Sequence, residues 1–297
     1  IYLPELECLY KEWLKLVVRS VQKINQKYIN SIVKTALNED LKPLGDITTH
    51  LITSKNRRLN AKIISKQNGI VSGLNFCKAA FKLIDKKTNF KVMVEDGNKV
   101  KKNKVIAKIK GKTKSLLIAE RTALNFLSHS SGISTLTNRF VKKVRKKTKI
   151  CCTRKTTPNL RLLEKFAVKK GGGLNHRYNL SQEILIKDNH IFAEKNLRKL
   201  VQKAIKSKKI VTVEIEKIKQ LKEILDLKFK RILFDNMSIN QLKKALKICK
   251  KKYETEYSGN ANLKNILKIS NTGVDRISIG SLTHSANSFD FTLELSS

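Results

Sequence analysis

The chain contains no run of about 18 or more apolar residues, so no membrane-crossing helix is expected. Cysteine is scarce: the five, Cys8, Cys77, Cys151, Cys152 and Cys249, show no CxxC spacing. That argues against a zinc ribbon or a disulfide framework, and for buried thiols in a reducing, cytoplasmic compartment. Glu5, Glu7, Lys11 and Glu12 interrupt any apolar segment near the start, so no secretory signal is expected. Acidic residues are few, 24 against 63 Lys and Arg, which leaves a formal charge of +39. Such an excess points first to nucleic acid. Aromatic residues are only 6% of the chain, however, and do not cluster near the lysines, which are spread along its whole length. The charge therefore reads as a solvated lysine coat that attracts small anions, with no specific nucleic-acid partner. Several catalytic signatures are also missing. There is no GxxxxGK[ST] loop, the triple glycine at 171–173 is not a GxGxxG, and no HExxH or zinc-ligand spacing occurs.

The 297 residues are 40% hydrophobic, enough for a barrel plus a smaller domain. Residues 1–26 read as a helical extension, with Leu9, Trp13, Leu16, Val17 and Val21 near helical spacing. YINSIVKTALN (28–38) reads as a second helix, broken by Pro43 and Gly45. Between 59 and 110, LNAKIISKQ, FKVMVEDG and KVIAKIKG alternate apolar and polar residues, the mark of half-buried strands. FCKAAFKLI between them fits a helix, and the pieces make a small α+β module. Residues 115–147 read as one long helix or two, with Gly132 permitting a bend or close packing. From 148 onward, short β-branched strands alternate with helices, as in a parallel sheet buried on both faces. So many repeats close most naturally into an α/β barrel. The domain reading is thus a helical extension at 1–26, an α/β module at 27–130 that 287–297 rejoins, and a barrel at 131–286.

In a barrel the chemistry collects where strands end. Those ends read Thr153-Arg154-Lys155, Lys187-Asp188-Asn189, Glu214 and Glu216, Asp235-Asn236, Ser258-Gly259-Asn260 and Gly280-Ser281. Basic groups come first, acidic groups in the middle and small turns last. Arg154, Lys155, Arg177 and Lys187 in one pocket imply a ligand with two or more negative groups. Glu214 and Asp235 suit Mg²⁺ or sugar hydroxyls. The Ser/Gly turns offer backbone N–H groups to a phosphate.

At these residues the chain resembles the quinolinate phosphoribosyltransferases, the decarboxylating nicotinate-nucleotide pyrophosphorylases. The matching segments are GDITT (45–49), ERTALNFLSHSSGISTLT (120–137), TRKTTPNLR (153–161), GGGLNHR (171–177), LIKDNHI (185–191), VEIE (213–216), LFDN (233–236), SGN (258–260) and GVDRISIGSLTHS (273–285). The resemblance implies an N-terminal α/β sandwich followed by an α/β barrel, in a homodimer or a multiple of dimers. It implies conversion of quinolinate and phosphoribosyl pyrophosphate, with Mg²⁺, into nicotinate mononucleotide, pyrophosphate and CO₂, for NAD synthesis. Carried over to this chain, Arg154, His176, Arg177 and Lys187 would hold the two quinolinate carboxylates, joined by Arg121 from the partner subunit. Lys155 would reach the pyrophosphate, Glu214 and Asp235 the ribose hydroxyls and the Mg²⁺ region, and Ser258, Gly259 and Gly280 the 5′-phosphate. Lys155, Lys187, Glu214 and Asp235 would be the catalytic set. Asn159 and Asn179 stand where glycine is usual, and Gln182 where Asp is usual. Two alternatives remain at this point, a molybdenum-locus homologue of the same fold with another substrate, and a basic nucleic-acid-binding protein.

Overall fold

The computed structural model describes residues 24–53, 57–145 and 147–296. Apart from residues 24–26, the helical extension read at 1–26 lies outside the described residues. Two compact units emerge: Ile1–Leu136 with Thr156–Gly172 and Ser285–Ser297, and Thr137–Lys155 with Gly173–His284. The sequence reading ran the barrel unbroken from 131; residues 156–172 instead group with the first unit.

In the first unit, helix α1 (Gln26–Leu41) starts where the Asn25 side chain accepts a hydrogen bond from Lys27 N–H at 2.8 Å. Ile29, Val33 and Leu37, one per turn, form its buried stripe. Asp46 caps α2 (Ile47–Ile52) by accepting from Thr49 N–H at 2.9 Å. Hydrogen bonds from the Thr49 hydroxyl and N–H hold the Asp46 carboxyl below its ordinary range. Leu44, Ile47, Leu51 and Ile52 around this cap are exposed.

The period-two stretches become strands. β1 (Arg58–Ser65) buries Ala61, Ile63 and Ser65 on one face. After it come β2 (Gly69–Ile70), α3 (Leu74–Ile84), β3 (Asn89–Val92), β4 (Lys99–Val100) and β5 (Val105–Lys112). The final strand, Phe291–Ser296, pairs antiparallel with β1, giving the order final strand, β1, β5, β3. Ile63 faces Leu293 on one side and Ala107 on the other. Phe76 and Phe81 of α3 are fully buried, as are Ile63, Ile106 and Phe289, and their rings pack on Phe126 and Phe90 respectively.

The stretch read as one helix or two is one, α4 (Thr113–Lys143). Gly132 serves close packing rather than a bend. A Cβ there would lie 2.1 Å from the backbone oxygen of Asn287. Gly132→Ala is therefore expected to destabilise the fold by about 1–3 kcal/mol, since backbone must move to admit the methyl. Chemical denaturation of the variant against wild type measures this, and equal midpoints would remove the packing role. α5 (Arg161–Lys170) is held to α4 by polar bonds. His129 Nε2 lies 2.9 Å from the buried Glu164 carboxylate, and Ser134 Oγ donates to Ala167 O at 2.8 Å.

The second unit is built of β6 (Lys149–Cys151), β7 (Ile184–Ile186), α6 (Asp188–Glu194), α7 (Leu197–Lys206), β8 (Val211–Ile215), α8 (Ile218–Ile224), β9 (Arg231–Asp235), α9 (Ile239–Cys249), β10 (Glu254–Ser258), α10 (Ile266–Ser270), β11 (Arg276–Ser278) and α11 (Ser281–His284). All six strands are parallel, in the order β6, β11, β10, β9, β8, β7. On the outer edge of β6, Cys151 makes one further parallel bridge to Leu174. This is the sheet of an α/β barrel, with Ile150, Val213, Ile215, Ile232, Phe234 and Ile277 buried along it. β7 ends just before Lys187, at the strand end read from the sequence. The Lys187 N–H donates to His190 Nδ1 at 3.2 Å, and the chain turns into α6 at Asp188.

Candidate active site

Parallel register sets the strand ends level with one another. Asp235 pairs with Ser258, Ser258 with Ser278, and Ser278 with Cys151. Ile186 pairs with Val213, which brings Lys187 beside Glu214 at the next position. The second unit thus gathers Arg154, Lys155, His176, Arg177, Lys187, Glu214, Asp235, Ser258, Gly259 and Gly280 at or next to one set of strand ends. Arg121 is the exception among the residues read from the sequence. It lies on α4 in the first unit and is exposed.

The basic half is crowded by design of the chain. Arg177 is buried, and its guanidinium Nη1 donates to Glu183 O at 2.9 Å. Burial, then the nearby Arg154 charge, pull its pKa down. Two guanidinium groups within electrostatic range raise each other's energy unless an anion lies between them. The loop that delivers Arg154 runs on into Asn159, which adopts φ 65°. Asparagine is the non-glycine residue that best accepts this left-handed geometry. Asn179 does not use it. Instead its side chain accepts from Ser181 N–H and hydroxyl at 3.1 and 2.9 Å, and Gln182 Oε1 accepts from Tyr178 N–H at 2.5 Å. Both substitutions thus keep the loop hydrogen-bonded.

The acidic half borders a cleft of about 430 Å³ lined by Asp188, Asn189, Ile191, Phe192, Glu214, Glu216 and Gln220. Burial, reinforced by Asp235 and Asp188, pushes the Glu214 carboxyl up to about 7, while Lys187 opposes the shift. Ionised Glu214 is thus costly without a cation or hydroxyl donor beside it.

The small turns are tight for a reason. Gly259 has φ 112°, and a Cβ there would sit 2.2 Å from the Asn236 side-chain oxygen. A Cβ on Gly280 would lie 3.0 Å from Lys155 Cδ and 3.2 Å from His284 Nε2. Gly280 therefore lets the Lys155 stem pass close to the backbone at the start of α11. Thr283 Oγ1 donates to Lys155 O at 2.6 Å and fixes the other side of that contact.

Two residues at the site escaped sequence reasoning. His284 sits inside the quoted GSLTHS segment, yet its neighbourhood with Gly280 and Lys155 needs coordinates. Glu256 is fully buried in β10, with Arg231 Nε 3.5 Å and Arg276 Nε 3.4 Å from its Oε2, and it accepts from the Ser278 hydroxyl. Burial pushes its pKa up against the pull of those partners. Its Oε1 lies 3.5 Å from His176 Nε2. Charged residues at alternate positions in YETEYS and opening the strands RILFD and RIS were the available signal.

Both halves of the chain match family models. Residues 46–131 match the quinolinate phosphoribosyl transferase N-terminal domain, and residues 133–294 its C-terminal domain. The mitochondrial quinolinate phosphoribosyltransferase [decarboxylating] 2b of Nicotiana tabacum is 35% identical over 288 residues, covering 90% of this chain and 82% of that protein. The probable nicotinate-nucleotide pyrophosphorylase [carboxylating] of Bacillus subtilis is 37% identical over 255 residues, covering 84% and 88%. Among solved structures, the nicotinate-nucleotide pyrophosphorylase from Francisella tularensis superposes with a TM-score of 0.89 at 36% identity, covering 93% of this chain and 99% of that one.

Proposed function

Because the chain belongs to the quinolinate phosphoribosyltransferase family, we propose that it transfers the phosphoribosyl group of phosphoribosyl pyrophosphate to quinolinate and releases pyrophosphate and CO₂, forming nicotinate mononucleotide. The observation that carries the residue-level reading is the pairing of halves. Burial, with Arg154 nearby, depresses Arg177, and burial beside Asp235 raises Glu214. A dicarboxylate relieves the first strain, and ribose hydroxyls with a cation relieve the second. Arg154, His176, Arg177 and Lys187 then line the seat for quinolinate. Lys155 reaches the leaving pyrophosphate, and Ser258, Gly259 and Gly280 take the 5′-phosphate on backbone N–H groups.

Among the described residues no three His, Cys, Asp or Glu side chains come together as a metal cage. Two carboxylates at neighbouring strand ends still fit Mg²⁺, which keeps waters and substrate oxygens in its shell. Glu214 and Asp235 would hold it, and when bound it would neutralise charge building on pyrophosphate. The protein's own part is to set the pyridine nitrogen in line with the ribose carbon, a proximity effect on the order of several kcal/mol. The test is CO₂ release, expected only when quinolinate, phosphoribosyl pyrophosphate and Mg²⁺ are all present. Quinolinate is also expected to raise Tm where nicotinate does not; no product and no shift would defeat the reading. The matches to this family run through both domains, so we carry forward neither the molybdenum-locus nor the nucleic-acid alternative.

We further propose a homodimer in which Arg121 completes the partner's site. The exposure of Arg121, and of Leu44, Ile47, Leu51 and Ile52, supports a surface covered in an assembly. Arg121→Ala and Arg177→Ala proteins, each inactive alone, are then expected to recover activity when mixed. Statistical exchange makes half the dimers mixed with one intact site each, so recovery tops out at about a quarter of wild type. Mixed dimers without activity would show that Arg121 serves its own subunit or none. The buried thiols Cys77, Cys151, Cys152 and Cys249 support a reducing compartment, which we take to be the cytoplasm. No helix among the described residues is long and apolar enough to cross a membrane.

A further inference from the structure

The interior of the second unit carries an ionic chain that the reaction chemistry does not use. Arg231 of β9 donates to Glu254 at 2.8 Å and to Thr212 Oγ1 at 3.1 Å. Arg276 of β11 donates to Cys151 Sγ of β6 at 3.3 Å and lies 3.5 Å from Glu254. Glu256 turns Oε2 toward both arginines, while its Oε1 accepts from the Ser278 hydroxyl and also faces the His176 ring. These are the charged groups that face Glu256 from its own strand, both neighbouring strands and the 173–183 loop. On the far side of the ring, Arg177 N–H donates to His176 Nδ1 at 2.9 Å. A nitrogen that accepts a hydrogen bond carries no proton, so neutral His176 has its proton on Nε2, the nitrogen facing Glu256.

We propose that Glu256 is a positioning residue for the quinolinate seat: it holds the His176 ring in the Nε2–H tautomer, and the ring in turn fixes the backbone from which Arg177 enters the pocket. The proposal deepens the site reading above and rests on it. The chain of contacts runs Glu256, His176 Nε2, His176 Nδ1, Arg177 N–H, and the Arg177 guanidinium is steadied at its other end on Glu183 O. Breaking the first link lets the ring turn, and the Arg177 N–H loses its acceptor. The phosphate and ribose residues stand on other strand ends and are not part of this chain.

Glu256→Gln tests it, with Glu254→Gln as control, because Glu254 touches the same two arginines from two residues away on the same strand. Glu256→Gln is expected to raise KM for quinolinate about tenfold or more, the scale of one charged hydrogen bond, with KM for phosphoribosyl pyrophosphate within about twofold of wild type. Glu254→Gln is expected to leave the ratio of the two KM values unchanged. Should Glu256→Gln not fold, ¹⁵N spectra of histidine-labelled wild type decide, assigned by loss of the His176 signal in His176→Ala. Near neutral pH they are expected to show a protonated, pyrrole-type Nε2 and an unprotonated Nδ1; the reverse pattern overturns the proposal. Equal rises in both KM values, in both glutamate variants, also overturn it, as a general loosening of the barrel. His176→Ala separates the two levels. If it leaves KM for quinolinate unchanged, the assignment of His176 to the seat fails and takes this proposal with it. If it raises that KM while folded Glu256→Gln does not, only the positioning role fails.

Discussion

Replacing Arg154 with alanine is expected to lower kcat/KM for quinolinate by well over tenfold, while KM for phosphoribosyl pyrophosphate changes far less. A hydrogen bond between charged partners contributes roughly 1.5–3 kcal/mol, and a guanidinium fork meets a carboxylate with two such bonds. Arg154 stands after β6, near the buried Arg177, where the dicarboxylate is proposed to sit. The loss should therefore fall on one substrate. Arg154→Lys keeps the charge but not the fork, and is expected to recover only part of it. Steady-state kinetics with each substrate varied in turn measure all three values. Equal losses on both substrates would move Arg154 out of the dicarboxylate seat.

The second large effect concerns Glu214→Gln, which should remove activity and add stability, with the gain dependent on pH. Folded Glu214 holds its proton up to about 7, against an ordinary value of 4.5. Between those limits the folded chain binds more protons than the unfolded one, so stability falls as pH rises through the window. Glutamine has nothing to ionise and escapes that loss. At pH 5 the variant and wild type should melt close together. At pH 8 the variant should be more stable by about 1–2 kcal/mol, a figure reduced for the partial exposure of the group. Meanwhile kcat/KM should drop by at least about tenfold, since a neutral amide neither binds a cation well nor accepts as strongly from ribose hydroxyls. Melting curves at both pH values, run without substrate, test the stability half. A constant gap across the range would place the Glu214 titration outside this window.

The strands of the first unit were readable because each has one wet face. Ala61, Ile63 and Ser65 of β1 alternate with exposed residues, and the letters alternate with them. The barrel strands announced themselves through short β-branched runs, and their ends through the change from apolar to functional residues. The charged interior was not readable. Glu254, Glu256, Arg231 and Arg276 resemble surface residues in one dimension, and only pairing across three strands turns them inward together. The strand end at Lys187 was readable, because apolar ILI gives way to KDN there, and the Lys187 N–H bonding His190 opens the turn into α6. The grouping of 156–172 with the first unit follows from long-range bonds such as Ser134 to Ala167, which carry no local sequence signal.

The first unit is stitched from three separated segments, and the last of them supplies the strand that covers the edge of β1. During synthesis β1 precedes the second unit, and its neighbour Phe291–Ser296 follows it. The nascent chain must therefore carry an unpaired strand edge, with Ile63 and its neighbours at hand, while the whole second unit is made. Domains whose segments are contiguous fold as they emerge, but this one waits for its final piece. An uncovered edge is a template for pairing with other chains. Slow translation past the barrel lengthens that exposure, so the yield of folded protein should depend on the tempo and temperature of its production as well as on the stability of the finished fold.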